Sequence, residues 1–540
     1  MRKNRSLTAV VAITLILGLV LTGCGTASNS GSGGTSAAKE MKMSFAPGGE
    51  PKTLDPQMSN GIPEAIMEMA MFEGIMRLDK DNVPQLAVAD SVEVSPDGLK
   101  YTIKLKDTKF SNGDPLTASD FKASWMHALD PAAAAEYAYQ LYYIKNAEAY
   151  NSKKAKAEDV GINAVDPKTL EVTLEAPCPY FKSLLAFPTY FPVDQKNAQA
   201  NKNWNTDAAT FVSNGPFMVK TWSHNDKMVL VKNPNYYDAA NVKLTELDFN
   251  LVEDGKAATT AFEAGQLDGH DNLVPEDIVR FKKDGTLKQA PMLGTYFYRF
   301  NTTKKPLNDP RVRQALAIAL DRQDLIDNVF KGGQTPAFAF VPGAVPDATP
   351  GKDFRTTGGN FFKEDIAKAK QLLADAGYPD GKNFPSLTIL YNTNGTHQLP
   401  AQAIQDYWQK NLGITVKLQG QEWAVYQQSE QGLQYDIARA GWIGDYVDPM
   451  TFLDEFVTNG GNNQTGWSNA AYDKDIDTAK KSADQTVRMQ AMHDAEKILM
   501  TEMPVMPIYF YVQNYVLKDN IKGVIVSPLG FFDFKNATVQ

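Results

Sequence analysis

Two periodicities interleave along this chain. Tyr101-Thr-Ile103-Lys-Leu105-Lys alternates apolar and polar positions, as a half-buried strand does. It runs into Ser111-Asn112-Gly113-Asp114, a turn signal, and then Thr117-Ala-Ser-Asp120, which reads as a helix N-cap with an acid in the first turn. That helix continues over residues 121–129 until Asp130-Pro131 interrupts it. Asn308-Asp309-Pro310 predicts the start of a helix over 311–330, closed by Gly332-Gly333. Further helices are predicted over 363–376, ended by Gly377 and Pro379, and over 401–411, ended by Gly413. The alternating Ile414-Thr-Val416-Lys-Leu418 follows as a strand. Residues 435–442 read as a buried strand entering a loop, and two late helices, 470–483 and 485–501, lead to a strand over 506–512. Strands interleaved with helices predict an α/β fold. No repeat or low-complexity segment follows Lys39.

The N-terminus departs from both periods. Arg2, Lys3 and Arg5 precede an apolar stretch from Leu7 to Leu21, 15 residues long. That is short of the ~20 residues a spanning helix needs and fits the apolar region of a signal peptide. It ends in Leu21-Thr22-Gly23-Cys24, which resembles the lipobox of bacterial lipoproteins. In those proteins the segment before the Cys is cleaved and the Cys is lipid-modified. Residues 1–23 are therefore expected to be a signal peptide. Residues 24–38, the lipid-anchor Cys24 and an uncharged Gly/Ser/Thr-rich stretch, are expected to be a flexible tether with a reach of roughly 20 Å. No later apolar run is long enough to span a membrane. The expected location is the outer face of the cytoplasmic membrane.

Composition narrows the classes. The 540 residues are 43% hydrophobic and 22% charged, which excludes a mainly disordered or fibrous chain and leaves room for large cores. The formal charge is −9; without residues 1–23 the balance is 51 basic against 63 acidic, or −12. An acidic chain is a poor binder of nucleic acid, because neutralising phosphates needs surplus Lys and Arg. Two cysteines and five histidines exclude a disulfide scaffold and a Cys/His zinc module.

The motifs of a surface hydrolase are missing: no G-x-S-x-G, H-E-x-x-H or C-x-x-C stands in the chain. Gly377-Tyr-Pro-Asp-Gly381-Lys382 is one residue short of a phosphate loop and follows a helix, so it reads as a helix stop. Asp473, Asp475 and Asp477 mimic the start of a calcium loop, but Thr478 and Asp484 stand where its Gly and Glu belong, and exposed helix charges explain them better. Cys178, between prolines, reads as structural. Neither a metal nor a cofactor is expected. The sharper cluster is Arg439-Ala-Gly441-Trp442-Ile443-Gly444-Asp445-Tyr446. Arg439 and Asp445 stand about 20 Å apart if the segment is extended, a span that brackets a zwitterion several residues long. Read alone, the pair is better explained as two salt-bridged charges beside a core tryptophan.

At this stretch the sequence resembles the family 5 extracellular solute-binding proteins, the oligopeptide and dipeptide receptors of ABC importers. Leu54-Asp55-Pro56, Phe72-Glu73-Gly74, residues 89–120, Asn214-Gly215-Pro216-Phe217, Asn233-Pro234-Asn235-Tyr236-Tyr237, Asn308 to Arg313 with Ala319 to Arg322, and Ala376-Gly377-Tyr378 carry the resemblance. Tyr391-Asn392-Thr393, Gln421-Glu422-Trp423 and Ala438 to Trp442 fit the oligopeptide branch. The resemblance implies an α/β, two-lobed periplasmic-binding-protein-like fold with an additional third domain and a discontinuous first domain. Domain I would comprise 39–72, 199–297 and 512–540; domain II, the extra one, 73–198; domain III, 298–511. A peptide would lie extended between the lobes, paired with protein backbone.

Carried over by position, Asp445 would pair with the peptide α-ammonium group. Gly441, Trp442, Ile443 and the segment around Ile62 would flank the ligand, and Arg439, His397 and Lys331 would meet its carboxylate at different lengths. Trp423, Tyr137, Tyr509 and Tyr511 would be pocket aromatics, and Asn272 and Asn392 polar pocket residues. Asn60 and Glu430 depart from the family pattern, and Glu430 is expected to draw a pocket toward basic side chains. The implied partners are short peptides and the permease subunits of an ABC transporter, with the receptor acting as a monomer and breaking no bond. A receptor of the same fold for dipeptides, nickel chelates or oligosaccharides, a surface hydrolase and a peptide sensor remain the alternatives.

Overall fold

Two strands of 13 residues each, Lys288–Phe300 and Val505–Leu517, organise the computed structural model, which describes residues 41–59, 61–393 and 397–540, without the side chains of Trp423 and Ala424. The two strands pair antiparallel, and every other strand of an 11-stranded sheet lies to one side or the other of them. Beyond Val505–Leu517 come Gly269–His270, Lys42–Gly48, Glu246–Leu251, Lys227–Lys232 and Phe217–Ser223, and the short strand Thr335–Pro336 pairs with Val505–Leu517 at Tyr509 and Phe510. Beyond Lys288–Phe300 come Ile437–Ile443, Leu387–Asn392 and Val416–Gln421. A separate four-stranded sheet is built from Ala89–Val94, Lys100–Leu105, Thr169–Thr173 and Ile162–Asp166, in that order.

The long pair is not regular. Pro291 faces Val512 and the next partners are Thr295 and Phe510, so the first strand carries extra residues there. An insertion of this kind breaks the ladder and bends the strand. At the bend Leu293 leaves the ladder: its N–H donates to the Pro528 carbonyl at 2.6 Å and its carbonyl accepts from Gly444 N–H at 2.7 Å. The bend thereby ties the end of Ile437–Ile443 to the C-terminal segment.

Local patterns formed as their residues dictate. Tyr101, Ile103 and Leu105 are buried while Lys100 and Lys104 are exposed. The helix Ala118–Leu129 starts on Thr117, with the Asp120 carboxylate accepting from Thr117 N–H and Oγ at 2.8 Å each. Phe72-Glu73-Gly74 meets Asn214-Gly215: the Asn214 amide accepts from Glu73 N–H at 3.0 Å and donates to its carbonyl at 2.8 Å. A side chain at Gly215 would stand 2.5 Å from Met71 backbone, so only glycine fits this approach.

Three expectations need correction. The helix over 311–330 is interrupted: Pro310–Ile318 ends, and Asp321 caps a new start at Arg322–Asp324 through its bond to Asp324 N–H at 2.9 Å. Buried Arg322 drives the break, because its guanidinium bonds the Pro507 and Ala317 carbonyls. The helix over 363–376 shortens to Ile366–Asp375, with Asp365 as cap and Glu364 spent on Arg322. The strand over 506–512 runs instead over Val505–Leu517. Cys178 is buried and unpaired, and burial pushes its thiol pKa up, leaving an inert side chain.

Candidate functional site

The strand Ile437–Ile443 offers an edge. On one side it pairs with Lys288–Phe300 along its whole length, Arg439 opposite Tyr298 and Ile443 opposite Gly294. On the other side Leu387–Asn392 pairs with Ile437 and Ala438, and among the described residues no strand pairs beyond them. The Arg439 carbonyl accepts from the Tyr426 hydroxyl, which leaves the backbone of Gly441, Trp442 and Ile443 as the open stretch. Unpaired main-chain groups of this kind are a template for an extended chain. At Gly441 a β-carbon would lie 2.8 Å from the Tyr511 hydroxyl and 3.4 Å from an Arg439 nitrogen, so a side chain there would displace the tips of both.

At the C-terminal end of this edge stands Asp445. Its N–H donates to Thr451 Oγ1 at 3.1 Å, and its Oδ1 accepts from the Tyr139 hydroxyl at 3.2 Å. The next residues are fixed. The Tyr446 ring stacks on Tyr180 with centroids 4.2 Å apart, and Asp448 forms a buried ion pair with Arg488. Burial raises the Asp445 pKa above the usual carboxylate range, and the Tyr139 bond opposes the shift. Asp445, Ile443, Ile62, Tyr137 and Thr189 line one pocket of about 690 Å³. Ile62 and Ile443 are 40% and 41% exposed because both face this space. A neighbouring, mostly apolar pocket of about 550 Å³ shares Asp445, Phe187, Leu529 and Phe531 with it.

The other end is cationic and aromatic. The Arg439 guanidinium lies 4.7 Å from the Tyr296 ring centroid, and Tyr296 stacks on Tyr509 at 4.9 Å, with Tyr511 5.1 Å from Tyr509. Arg439 Nε is buried without a hydrogen-bond partner. The Arg439 pKa is raised: burial opposes the charge, and Tyr296 and Tyr511 outweigh it. His397 Nδ1 sits 3.2 Å from the Tyr296 hydroxyl. Burial, then the Arg439 charge, lower its pKa to about 4, so at neutral pH His397 is an uncharged hydrogen-bonding group and not the cation expected from its position. Lys331 is exposed and follows Phe330, whose ring packs on Tyr296 and Tyr509 at 5.4 and 4.7 Å.

The remaining candidates scatter. Asn392 is buried at the end of Leu387–Asn392, opposite Gln421. Asn272 donates to the Glu253 carbonyl at 2.7 Å and lines a third, acidic cleft of about 1470 Å³ that meets the Asp445 pocket only at Ile62. Glu430 does not act as a pocket charge. It is buried against Arg299 at 2.7 Å, and Arg299 also reaches Gln464 at 2.6 Å and Glu455 at 3.8 Å. A charge answered inside the fold gives no pull on a ligand, so the expected bias toward basic side chains falls away. The Trp423 side chain, Asn60 and Cys24 lie outside the described residues. Sequence reasoning missed Tyr139, Tyr296, Phe187 and Thr189. Tyr139 stood two residues from Tyr137 in an aromatic-rich run, the one signal available.

The profile of the bacterial extracellular solute-binding proteins, family 5 (middle region), matches residues 83–464, a span that holds both the four-stranded sheet and the Asp445 segment. The chain belongs to this family. The oligopeptide-binding protein OppA of Bacillus subtilis is 40% identical over 544 residues, 98% of each chain. Among solved structures, the murein tripeptide binding protein MppA in its unliganded open form gives a TM-score of 0.85 at 34% identity, covering 93% of this chain and 98% of that one. OppA of Listeria monocytogenes bound to peptide gives 0.68 at 32% identity, over 93% and 99%. This family 5 protein thus shares its fold with open and liganded relatives, and matches the open one better.

Proposed function

We propose that this protein captures short peptides outside the cytoplasmic membrane and delivers them to the permease of an ABC importer, tethered through lipid on Cys24. The observation that carries the reading is the open backbone edge at Gly441–Ile443 with a carboxylate at one end and a guanidinium at the other. Main-chain pairing is indifferent to side chains, whereas the two charges recognise the two ends of a zwitterion. The printed names of the relatives, an oligopeptide-binding protein and a peptide-bound structure among them, point the same way. A sugar would need neither charge.

The lobes we assign are 39–72, 199–297 and 512–540 for the first and 298–511 for the second, with 73–198 as an added module. The sheet order supports this division, since the two long strands are the shared connection. Closure around ligand is then a shift of population toward the closed form, as large as the ligand's preference for it. The test is calorimetry with one peptide, free and N-acetylated. A desolvated charge left unpaired costs about 2–5 kcal/mol, or roughly 30- to several-thousand-fold in affinity. Equal affinities would overturn the reading.

A further inference from the structure

We infer that Tyr139 is a positioning residue of the ammonium site: its phenol aims the Asp445 carboxylate at the ligand, so the 73–198 module completes the site. The inference rests on the reading of Asp445 as the ammonium's partner. Tyr139 lies in the helical turn Glu136–Leu141, beside the helix Ala118–Leu129 of that module, 306 residues from Asp445 in the chain. The turn is held from behind by the Tyr190 hydroxyl, which donates to the Gln140 carbonyl at 2.6 Å. Tyr190 in turn is wholly buried against Trp125 and Phe181. Tyr139 itself is 41% exposed, with its ring 5.6 Å from Tyr137 and Tyr137 packed on Phe187 at 5.5 Å. An exposed tyrosine on a firmly seated turn, spending its hydroxyl on the carboxylate that both pockets share, contributes little to the core and much to the aim of that carboxylate.

The electrostatic surroundings give the bond a purpose. Asp445 faces Tyr137 and Tyr139 from the module, Asp79 and Asp533 across the adjoining pocket, and Asp454 and Glu455 from the segment that follows it. Burial favours a protonated Asp445, which cannot pair with an ammonium group, and of the acids around it Asp533 is spent on Arg77 and Glu455 faces Arg299. The phenol donates to the ionised form and works against burial.

Tyr139→Phe removes the donor and keeps the ring. The expected result is a roughly three- to tenfold weaker affinity for a free-amine peptide at pH 7. As pH falls, binding should also be lost at a higher pH than in the wild type, because the Asp445 pKa rises. An N-acetylated peptide should bind both proteins alike. Tyr142→Phe, which deletes a hydroxyl bonded to Asn151 at 2.7 Å in the same module, should change neither readout. Unchanged affinity and an unchanged acid limb in Tyr139→Phe, with acetylation still damaging, would overturn the role of Tyr139 and leave Asp445 intact. If acetylation were harmless to the wild type, the underlying assignment of Asp445 would fall instead.

Discussion

The two ends of the candidate site are built on opposite plans. Asp445 is a single carboxylate on a short run whose neighbours are locked: Gly444 by Leu293, Tyr446 by Tyr180, Asp448 by Arg488. The other end is shared: Arg439 on a strand and the uncharged His397 at the start of a helix meet at Tyr296, and the exposed Lys331 follows Phe330, which packs on the same tyrosines. On the peptide reading, a fixed point at one end and several donors at the other would let a ligand keep its register at the amine while its length varies, which predicts strict demand for a free ammonium and tolerance at the carboxylate.

That contrast can be broken by experiment. The largest effect is expected for Asp445→Ala, about 2–5 kcal/mol for every free-amine peptide irrespective of length. Calorimetry showing a loss confined to one length would erase the distinction between the ends. Arg439→Ala should cost about 1.5 kcal/mol, roughly tenfold, for peptides whose carboxylate reaches it, and little for longer or shorter ones. A uniform loss over a length series would argue against a distributed end. The smallest effect belongs to His397→Asn at pH 7, roughly 0.5–1 kcal/mol or less, the worth of one neutral hydrogen bond. The sign follows from its pKa of about 4, well below the usual ~6.5. His397 stays neutral as pH falls from 8 to about 5 and gains its charge only below that. A loss equal to that of Arg439→Ala at pH 7, abolished by high salt, would mean that His397 is charged after all.

Elsewhere the fold shows the same division between single and shared anchoring. Arg77 joins Glu73, four residues before it, at 2.8 Å and also pairs with Asp533 near the C-terminus. Removing one partner of such a buried set is expected to cost roughly 3–5 kcal/mol, because the others are left uncompensated. Glu430 with Arg299 belongs to this class. Its charge is answered within the fold and unavailable to a ligand, whereas Asp445 lines open pocket space.

What the sequence made legible was local. Alternation placed Tyr101, Ile103 and Leu105 inward, Thr117 and Asp120 marked a helix start, and Gly413 marked a helix end, because each depends on neighbours a few residues away. The order Arg439…Asp445 on an extended, glycine-flanked segment was readable for the same reason. The long strands were not, since the part of Val505–Leu517 beyond 512 pairs with Lys288–Ala290 and Gly269–His270, more than 200 residues earlier. Whether a charge serves the ligand or the core was also decided only by tertiary contacts. Arg299 neutralises Glu430, burial beside Arg439 discharges His397, and Tyr139 reaches Asp445 across 306 positions. Sequence fixes which groups exist and how close neighbours fold; desolvation and long-range partners, which set what each charge does, arise only when the chain packs.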